Sequence, residues 1–460
     1  MSEHNTIASY LSVVSEQIQW KRARPFVISE LEQHLQDQRD AFAEEGLEHA
    51  EALAVEEMGD PISVGTALNQ IHRPKPQWGL LTLTMLLALT GAIFRVWLTA
   101  DWASDLLNID PFKTVLAFVL GCGALLLGYF LDYNRLAQHI GKIYIGILLV
   151  SVFAILFSPN INNVPYYARF VALYYPLVYA LWLYECRGKG WFGFCSAMLG
   201  GIPLTFFCTL IPYTLGLAIL LLTGFLLLLT AAWNDWFGMG RWHTMTPLLG
   251  GLTLMLGIII HGVVSQHWRW NRLSTALHPE SDPFGGGYQG VVIQKTLTVS
   301  QWLGEGTWSS EIFPYSYQRT VPGCDTDTFL TTVIYKLGWL PFLVIVLTFA
   351  ALMLWLSFRC MRQKNQLGRM IVIAVVMSLS IQGVASVAWN MGFTFLSASF
   401  PLIIGNLNTV LNMALIGLAL SVFRGDSIPE YVTQTEPPSP RFRIKLVIEP
   451  WEDDEDEAEE

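Results

Sequence analysis

The sequence predicts an all-α protein: a polytopic membrane protein with about ten transmembrane helices, preceded by a small soluble helical bundle. Three observations predict it. The 460 residues are 53% hydrophobic and only 14% charged, with a mean hydropathy of +0.42, a composition that a soluble protein of this size does not need. Apolar runs recur from Trp78 to Phe423 with short polar breaks between them, each near the roughly 20 helical residues that cross a hydrocarbon layer. The stretch ahead of Trp78 is polar and carries the punctuation of short amphipathic helices.

Residues 1–76 read as a separate cytoplasmic module of three or four helices. In "RPFVISELEQHLQDQRDAF", Pro25 marks a helix start, and Phe26, Ile28, Leu31 and Leu35 supply a partial apolar face. "EHAEALAVEEMGDPISVGTALNQIH" reads as helix, break, helix. Gly59 ends the first, Asp60 caps the second and Pro61 sits in its first turn. Ile62, Val64, Leu68 and Ile71 then form the face expected to be buried. A plain pair of cytoplasmic anchor helices is the simpler reading of the same stretch. Because the first span begins near position 78, behind a charged segment, it is not read as a cleavable signal peptide.

The membrane region is expected over 77–424, with spans near 78–98, 111–131, 138–157, 167–185, 190–211, 212–233, 245–265, 330–357, 368–394 and 398–423. The stretch 190–233 is divided at Pro212, because more than forty residues do not fit one crossing. Basic residues fall on alternate short loops: Arg135 and Lys142, Arg187 and Lys189, Arg241, then Arg359, Arg362, Lys364 and Arg369. That asymmetry places those loops and both termini in the cytoplasm. A long connection, 266–329, lies on the outer face and is rich in Trp, Tyr, Gly and Pro. It is expected to be ordered and to rest on the membrane surface.

Residues 425–460 end in "WEDDEDEAEE" and read as a solvated, disordered acidic tail. Nothing is basic enough for nucleic acid. The six cysteines are scattered, with no CxxC or Cys/His pairing that suggests metal, and no disulfide is expected.

Two acids, Asp325 and Asp327, close the outer loop just before an apolar run. Their ordinary explanation is helix capping, favoured by the helix dipole. The surrounding residues point further. Arg272, Pro279 with Asp282, Gly287-Tyr288-Gln289, Gly304 with Gly306, Thr326-Asp327 and Leu337-Gly338 follow one another, and Gln382, Asn390 and Gly392 lie in a later span. In that order and spacing they resemble the bacterial family of FtsW, RodA and SpoVE, the SEDS proteins of shape, elongation, division and sporulation. The resemblance covers about 80–424. The N-terminal module, through "ELEQHL" and "AVEEMGDP", looks like the short prefix domain found ahead of permeases and regulators in Gram-positive bacteria.

The resemblance implies a peptidoglycan glycosyltransferase in the cell membrane that polymerises lipid II, a polyprenyl-pyrophosphate disaccharide, by inverting transfer at the outer face. It implies Asp327 as the catalytic carboxylate, and a class B penicillin-binding transpeptidase and membrane lipids as partners. A carboxylate within hydrogen-bond reach of a sugar 4-hydroxyl can take its proton as attack develops. The departing pyrophosphate needs positive charge, from basic residues or from a divalent cation such as magnesium or manganese. Arg272, Tyr288, Gln289, Arg319 and Lys336 are the candidate substrate-binding residues; Lys295 is a further loop cation, and no protein metal site is expected. Asp325 is expected to face water, as are Glu305 and Glu311.

The chain departs from the family at several places. The early Gln-Pro-Ser-Glu is represented by "YYPLVYALWLY", which keeps Pro176 without the acid, and Pro-Asp-x-Gly by "IPYTLG". The acidic pair after the catalytic Asp becomes Tyr335-Lys336, which leaves Lys336 to pair with Asp327, Asp325 or a pyrophosphate or to snorkel outward, and the closing motif is reduced to "FPLIIGNLNTV". Two other readings therefore stand beside the enzyme: a catalytically inactive relative serving as scaffold or regulator, and a transporter or flippase of lipid-linked substrates.

Overall fold

The structure, a computed structural model, describes residues 6–20, 23–74, 76–101, 110–161, 164–211, 213–265, 267–308 and 315–425. The expected acidic tail beyond Gly425, Pro212 and Glu311 lie outside the described residues.

Four short helices come first: α1 (Ile7–Gln17), α2 (Arg24–Glu44), α3 (Ala50–Met58) and α4 (Pro61–His72). Thr6 caps α1 by accepting from the Ser9 N–H, and Asp60 caps α4 by accepting from the Ser63 N–H at 2.8 Å, with Pro61 beginning the helix. Tyr10, Val14, Val27, Leu35 and Ala54 form a core of their own. Only part of the expected apolar face of α4 packs, with Leu68 against this core. Ile62 and Ile71 are exposed, and α4 instead lays Gly65 against Gln17 of α1, where a Cβ would come within 2.8 Å of the glutamine side chain. Close approach of two backbones has overridden the apolar stripe.

The chain then runs through α5 (Trp78–Asp101), α6 (Pro111–Phe130), α7 (Tyr133–Ala137), α8 (Ile140–Phe157), α9 (Ala168–Val171), α10 (Tyr175–Glu185), α11 (Gly190–Leu210), α12 (Thr214–Trp233) and α13 (Arg241–Val264). It continues through α14 (His267–Leu277), α15 (Tyr288–Thr298), α16 (Tyr317–Thr320), α17 (Phe329–Leu337), α18 (Trp339–Arg362), α19 (Gln366–Asn390) and α20 (Leu407–Arg424). Among the described residues eight helices are long and apolar enough to cross a membrane: α5, α6, α8, α11, α12, α18, α19 and α20. The 24-residue α13 adds a ninth helix at a predicted position, about 36 Å long at 1.5 Å per residue.

Two predicted spans are built differently. The run 167–185 is α9, a 3-10 turn at Ala172–Tyr174, and α10. Pro176 lacks the N–H that would bond the Ala172 carbonyl, so regular α-helix resumes only after the turn. The run 330–357 breaks at Gly338, whose φ is +101°, into α17 and the spanning helix α18. A minor departure from all-α is a two-residue antiparallel ladder, Asn160–Ile161 with Val164–Pro165.

The tightest helix pair is α6 on α20. Gly417 leaves room for the Leu125 carbonyl, which a Cβ would meet at 2.2 Å, and Gly128 does the same for the Ala414 carbonyl at 2.6 Å. Small residues that let backbones approach are the common glue of membrane helices. At one end of the bundle, Arg187 donates to Gln366 at 2.8 Å and the Gly188 N–H to the Trp236 carbonyl at 2.8 Å. The long 267–328 connection, the 391–406 segment and the end of α5 gather at the other end.

Candidate active site

The site is assembled on α17. All residues from Phe329 to Lys336 are buried, so this short helix lies inside the protein rather than along the lipid. Asp325 and Asp327 precede it, yet neither caps it: the N-cap is Thr328, with no side-chain cap. The capping explanation for the two acids therefore fails. Instead the loop folds on itself. The Thr326 and Thr328 N–H groups donate to the Gly323 carbonyl at 2.9 Å, and Thr328 Oγ1 donates to the Pro322 carbonyl at 2.8 Å.

Asp327 is half-buried and held by α19 and by the 391–406 segment. Asn390 Nδ2 donates to the Asp327 carbonyl at 2.9 Å, while the Thr331 N–H and Oγ1 each donate to Asn390 Oδ1 at 2.8 Å. The carboxylate accepts from Ser397 Oγ at 2.7 Å on one oxygen and from Ser399 Oγ at 2.9 Å on the other. Both oxygens keep further lone pairs for a substrate hydroxyl.

Asp325 corrects its expectation. It is only 17% exposed at its side chain and faces Arg95 of α5, Nη2 to Oδ2 3.9 Å, rather than water. Arg95 is itself buried and also donates through Nη1 to the Ile404 carbonyl, while its Nε finds no partner. One arginine thus joins the acid loop to the segment ahead of α20.

The outer-loop motif comes to the same place. Tyr288 Oη donates to the Thr320 carbonyl at 3.1 Å and Gln289 Nε2 to the Pro322 carbonyl at 3.4 Å, so Gly287-Tyr288-Gln289 rests against the approach to Asp325. Asp282 shapes the preceding turn by accepting from the Gly286 N–H at 2.8 Å. Residues 301–306 run along the end of α17, where the Gly304 and Gly306 N–H groups donate to the Leu337 and Tyr335 carbonyls at 3.0 and 2.8 Å. These carbonyls end a helix and need outside donors. Trp308 packs edge-on to Tyr317, and Tyr317 stacks on Tyr335 at 4.4 Å, so much of the loop's aromatic content goes into internal packing. Burial pushes the Tyr317 hydroxyl well above the ordinary tyrosine range, keeping it neutral beside Thr332 Oγ1 at 3.1 Å. Phe284 and Trp302 remain exposed, 95% and 71%.

Lys336 is not brought to Asp327 or Asp325. Its Nζ donates to Glu305 Oε1 at 2.7 Å, with the lysine side chain 7% exposed and the glutamate 53%. Glu305 is therefore an ion-pair partner rather than only a solvated acid. Arg272 on α14 and Arg319 on α16 are exposed. Two arginines inside predicted spans belong to no motif, and reasoning from motifs misses them. Arg95 is one. Arg169 is the other: its guanidinium lies 4.3 Å from the Tyr166 ring centroid and 4.8 Å from that of Phe170, and its Nε has no hydrogen-bond partner. Tyr213, at the start of α12, lies within electrostatic reach of both Arg169 and Asp327. An ionisable residue inside an apolar span is the signal that marks both.

Among the described residues no group of three His, Cys, Asp or Glu side chains is placed to hold a metal ion. Asp325 and Asp327 are each engaged by other side chains, and these residues do not form a metal-binding set. An apolar cavity of about 590 Å³ between α11, α12 and α13, lined by Met198, Phe206, Leu220 and Phe225, touches none of the candidate residues.

No protein-family model matches the chain. A probable peptidoglycan glycosyltransferase FtsW from Idiomarina loihiensis is 28% identical over 183 residues, 37% of this chain and 42% of the relative. Its counterpart from Aliivibrio salmonicida is 26% identical over 198 residues, 42% of this chain and 46% of the relative. The chain thus spans less than half the length of these curated relatives. A structure of a peptidoglycan synthase complex that coordinates polymerization and crosslinking superposes with a TM-score of 0.58 at 19% identity, covering 76% of this chain and 97% of that one. In sequence the chain is thus similar to FtsW proteins over part of their length, and it shares a multi-pass helical fold with the superposing chain.

Proposed function

We propose that the protein is a peptidoglycan glycosyltransferase that polymerises lipid II at the outer face of the bacterial cell membrane, with Asp327 as its general base. The observation that carries this reading is the half-buried Asp327 carboxylate, gripped by Asn390 through its backbone and by two serines through its side chain, beside the Gly287-Tyr288-Gln289 segment. In the proposed step, the acceptor sugar's 4-hydroxyl oxygen bonds to the donor's anomeric carbon, its proton passes to Asp327, and the anomeric bond to the lipid pyrophosphate breaks with its electron pair. The leaving group needs positive charge in a site shielded from water. Arg169, at this end of the bundle with an unpaired Nε, is better placed than Lys336 or Arg95, which Glu305 and Asp325 already face; exposed Arg272 and Arg319 serve the approach of the headgroup. A class B penicillin-binding transpeptidase is the fitting partner, since the superposing complex couples polymerization to crosslinking.

The test is polymerisation of labelled lipid II by the purified protein in detergent or nanodiscs, wild type against Asp327→Ala. Loss of at least 100-fold in rate is expected for a general base in this role (about 10²–10⁴). Equal product from both removes Asp327 from the mechanism. Bound but unpolymerised lipid II with wild type identifies a catalytically silent relative.

A further inference from the structure

Between α19 and α20 the chain runs without regular structure, and four of its residues alternate in their surroundings. Ala398 is buried among Phe170, Leu173, Leu215 and Ile219, and Phe400 is buried against Phe349, ring centroids 4.9 Å apart. The residues between and before them, Ser397 and Ser399, are exposed and half-buried, and both end on the Asp327 carboxylate. Ala398 and Phe400 thus anchor the chain in two separate apolar cores on either side of Ser399. Ser397 and Ser399 are left to meet an acid 70 and 72 residues away along the chain.

We propose that Ser397 and Ser399 are positioning residues for the proposed transfer: they fix the rotamer of Asp327, each hydroxyl donating to one carboxylate oxygen, so that a free lone pair faces the acceptor hydroxyl. This deepens the glycosyltransferase reading and rests on it. Without both donors the carboxylate turns about its χ angles, and general-base catalysis by a freely turning group loses the advantage of orientation. The apolar anchors explain why the grip is durable, since rotating either serine away pulls Ala398 or Phe400 from a closed core. Asn390 holds the same residue by its carbonyl, so α19 and the segment after it control Asp327 from two directions.

The experiment compares lipid II polymerisation by full-length wild type, Ser397→Ala/Ser399→Ala, Ser397→Thr/Ser399→Thr and Asp327→Ala. The double alanine variant is expected to lose on the order of 10- to 100-fold in kcat with KM for lipid II changed less than about twofold. The double threonine variant, which keeps both hydroxyls, is expected to recover most of that loss. Wild-type kcat in the double alanine variant, or failure of threonine to rescue a folded protein, overturns the proposal. A readout independent of turnover is bridging of the thiols in Asp327→Cys/Ser399→Cys by a short bifunctional thiol reagent, because the native contact runs through a carboxylate oxygen that lies one bond beyond the reach of a cysteine sulfur. Absence of that bridge, with each thiol still labelled by a monofunctional reagent, overturns the geometry whether or not the protein polymerises. If wild type makes no glycan, the functional reading fails, and the cross-link alone still decides whether the serine segment seats on position 327.

Discussion

Lys336 shows how one residue can be read correctly for its cost and wrongly for its partner. A lysine inside an apolar run must find a counter-charge or reach water. The Asp nearest in sequence is not the one it finds. Gly304 and Gly306 bring the 301–306 segment against the end of α17, and Glu305 between them meets the ammonium at 2.7 Å. Glu305 is about half exposed, so water screens the pair and its net worth is modest, about 1–2 kcal/mol. Glu305→Gln is therefore expected to lower stability by about that amount, and Glu305→Lys by more, since it sets two cations together. Restoring opposite charges in Glu305→Lys/Lys336→Glu should return most of the loss. Melting of the detergent-solubilised variants, followed by tryptophan fluorescence, checks this; a double variant no more stable than the sum of its parts would show that the pair does not couple. The same scale explains what the sequence hid. Asp327 and Gly287-Tyr288-Gln289 were legible because a motif names them. Ser397, Ser399 and the Arg95 contact with Asp325 were not, because nothing local in the chain announces partners 70 or more residues away.

At the level of elements, hydrophobic pattern located the helices and failed at their breaks. Residues 330–357 read as one largely apolar run, yet Gly338 at φ +101° turns the chain so that α17 is buried and only α18 is long enough to span. Periodicity carries no information about the sign of φ, and a glycine in a membrane helix is ordinary. The turn is fixed by close contact as well, for a Cβ at 338 would stand 2.5 Å from the Trp302 carbonyl oxygen, which belongs to backbone and has little room to move. Gly338→Ala is expected to cost about 2–4 kcal/mol from the disfavoured dihedral and the clash together. It should also release the 301–306 segment, whose N–H groups cover the last carbonyls of α17. Limited proteolysis reads that release directly: new cleavage within 301–306 in the variant is the expected result, and an unchanged digestion pattern with unchanged melting would contradict it. The α9–α10 break has a sequence signal that spacing alone overlooked, since Pro176 forbids the bond that a continuous helix would make.

For the whole molecule, the contacts group the connections into two ends, and the basic residues suggest a polarity for them. Each crossing reverses the chain, so the connections fall into two sets. One set holds Arg135, Arg187, Lys189, Arg241, Arg362 and Lys364, and the Arg187–Gln366 and Gly188–Trp236 hydrogen bonds tie three of its members together. The other set holds the long 267–328 connection and the 391–406 segment, which meet on Asp327, together with the end of α5, which meets Asp325. Basic residues in short loops tend to stay on the cytoplasmic side, so the proposed function predicts the first set inside and the Asp327 site outside. Arg95 and Arg169 lie at the Asp327 end and oppose that bias, but both are at least partly buried, Arg95 against Asp325 and Arg169 against Tyr166 and Phe170. Single cysteines decide the matter in intact cells with a membrane-impermeant maleimide. Phe284→Cys, at an exposed point of the long connection, is expected to label without lysis, and Asn234→Cys, at the α12–α13 turn, only after lysis. The native Cys195 is the exposed background thiol and is removed first. The opposite labelling pattern would put Asp327 on the cytoplasmic side, away from any growing glycan, and no arrangement of serines or arginines around it would then rescue polymerisation as its function.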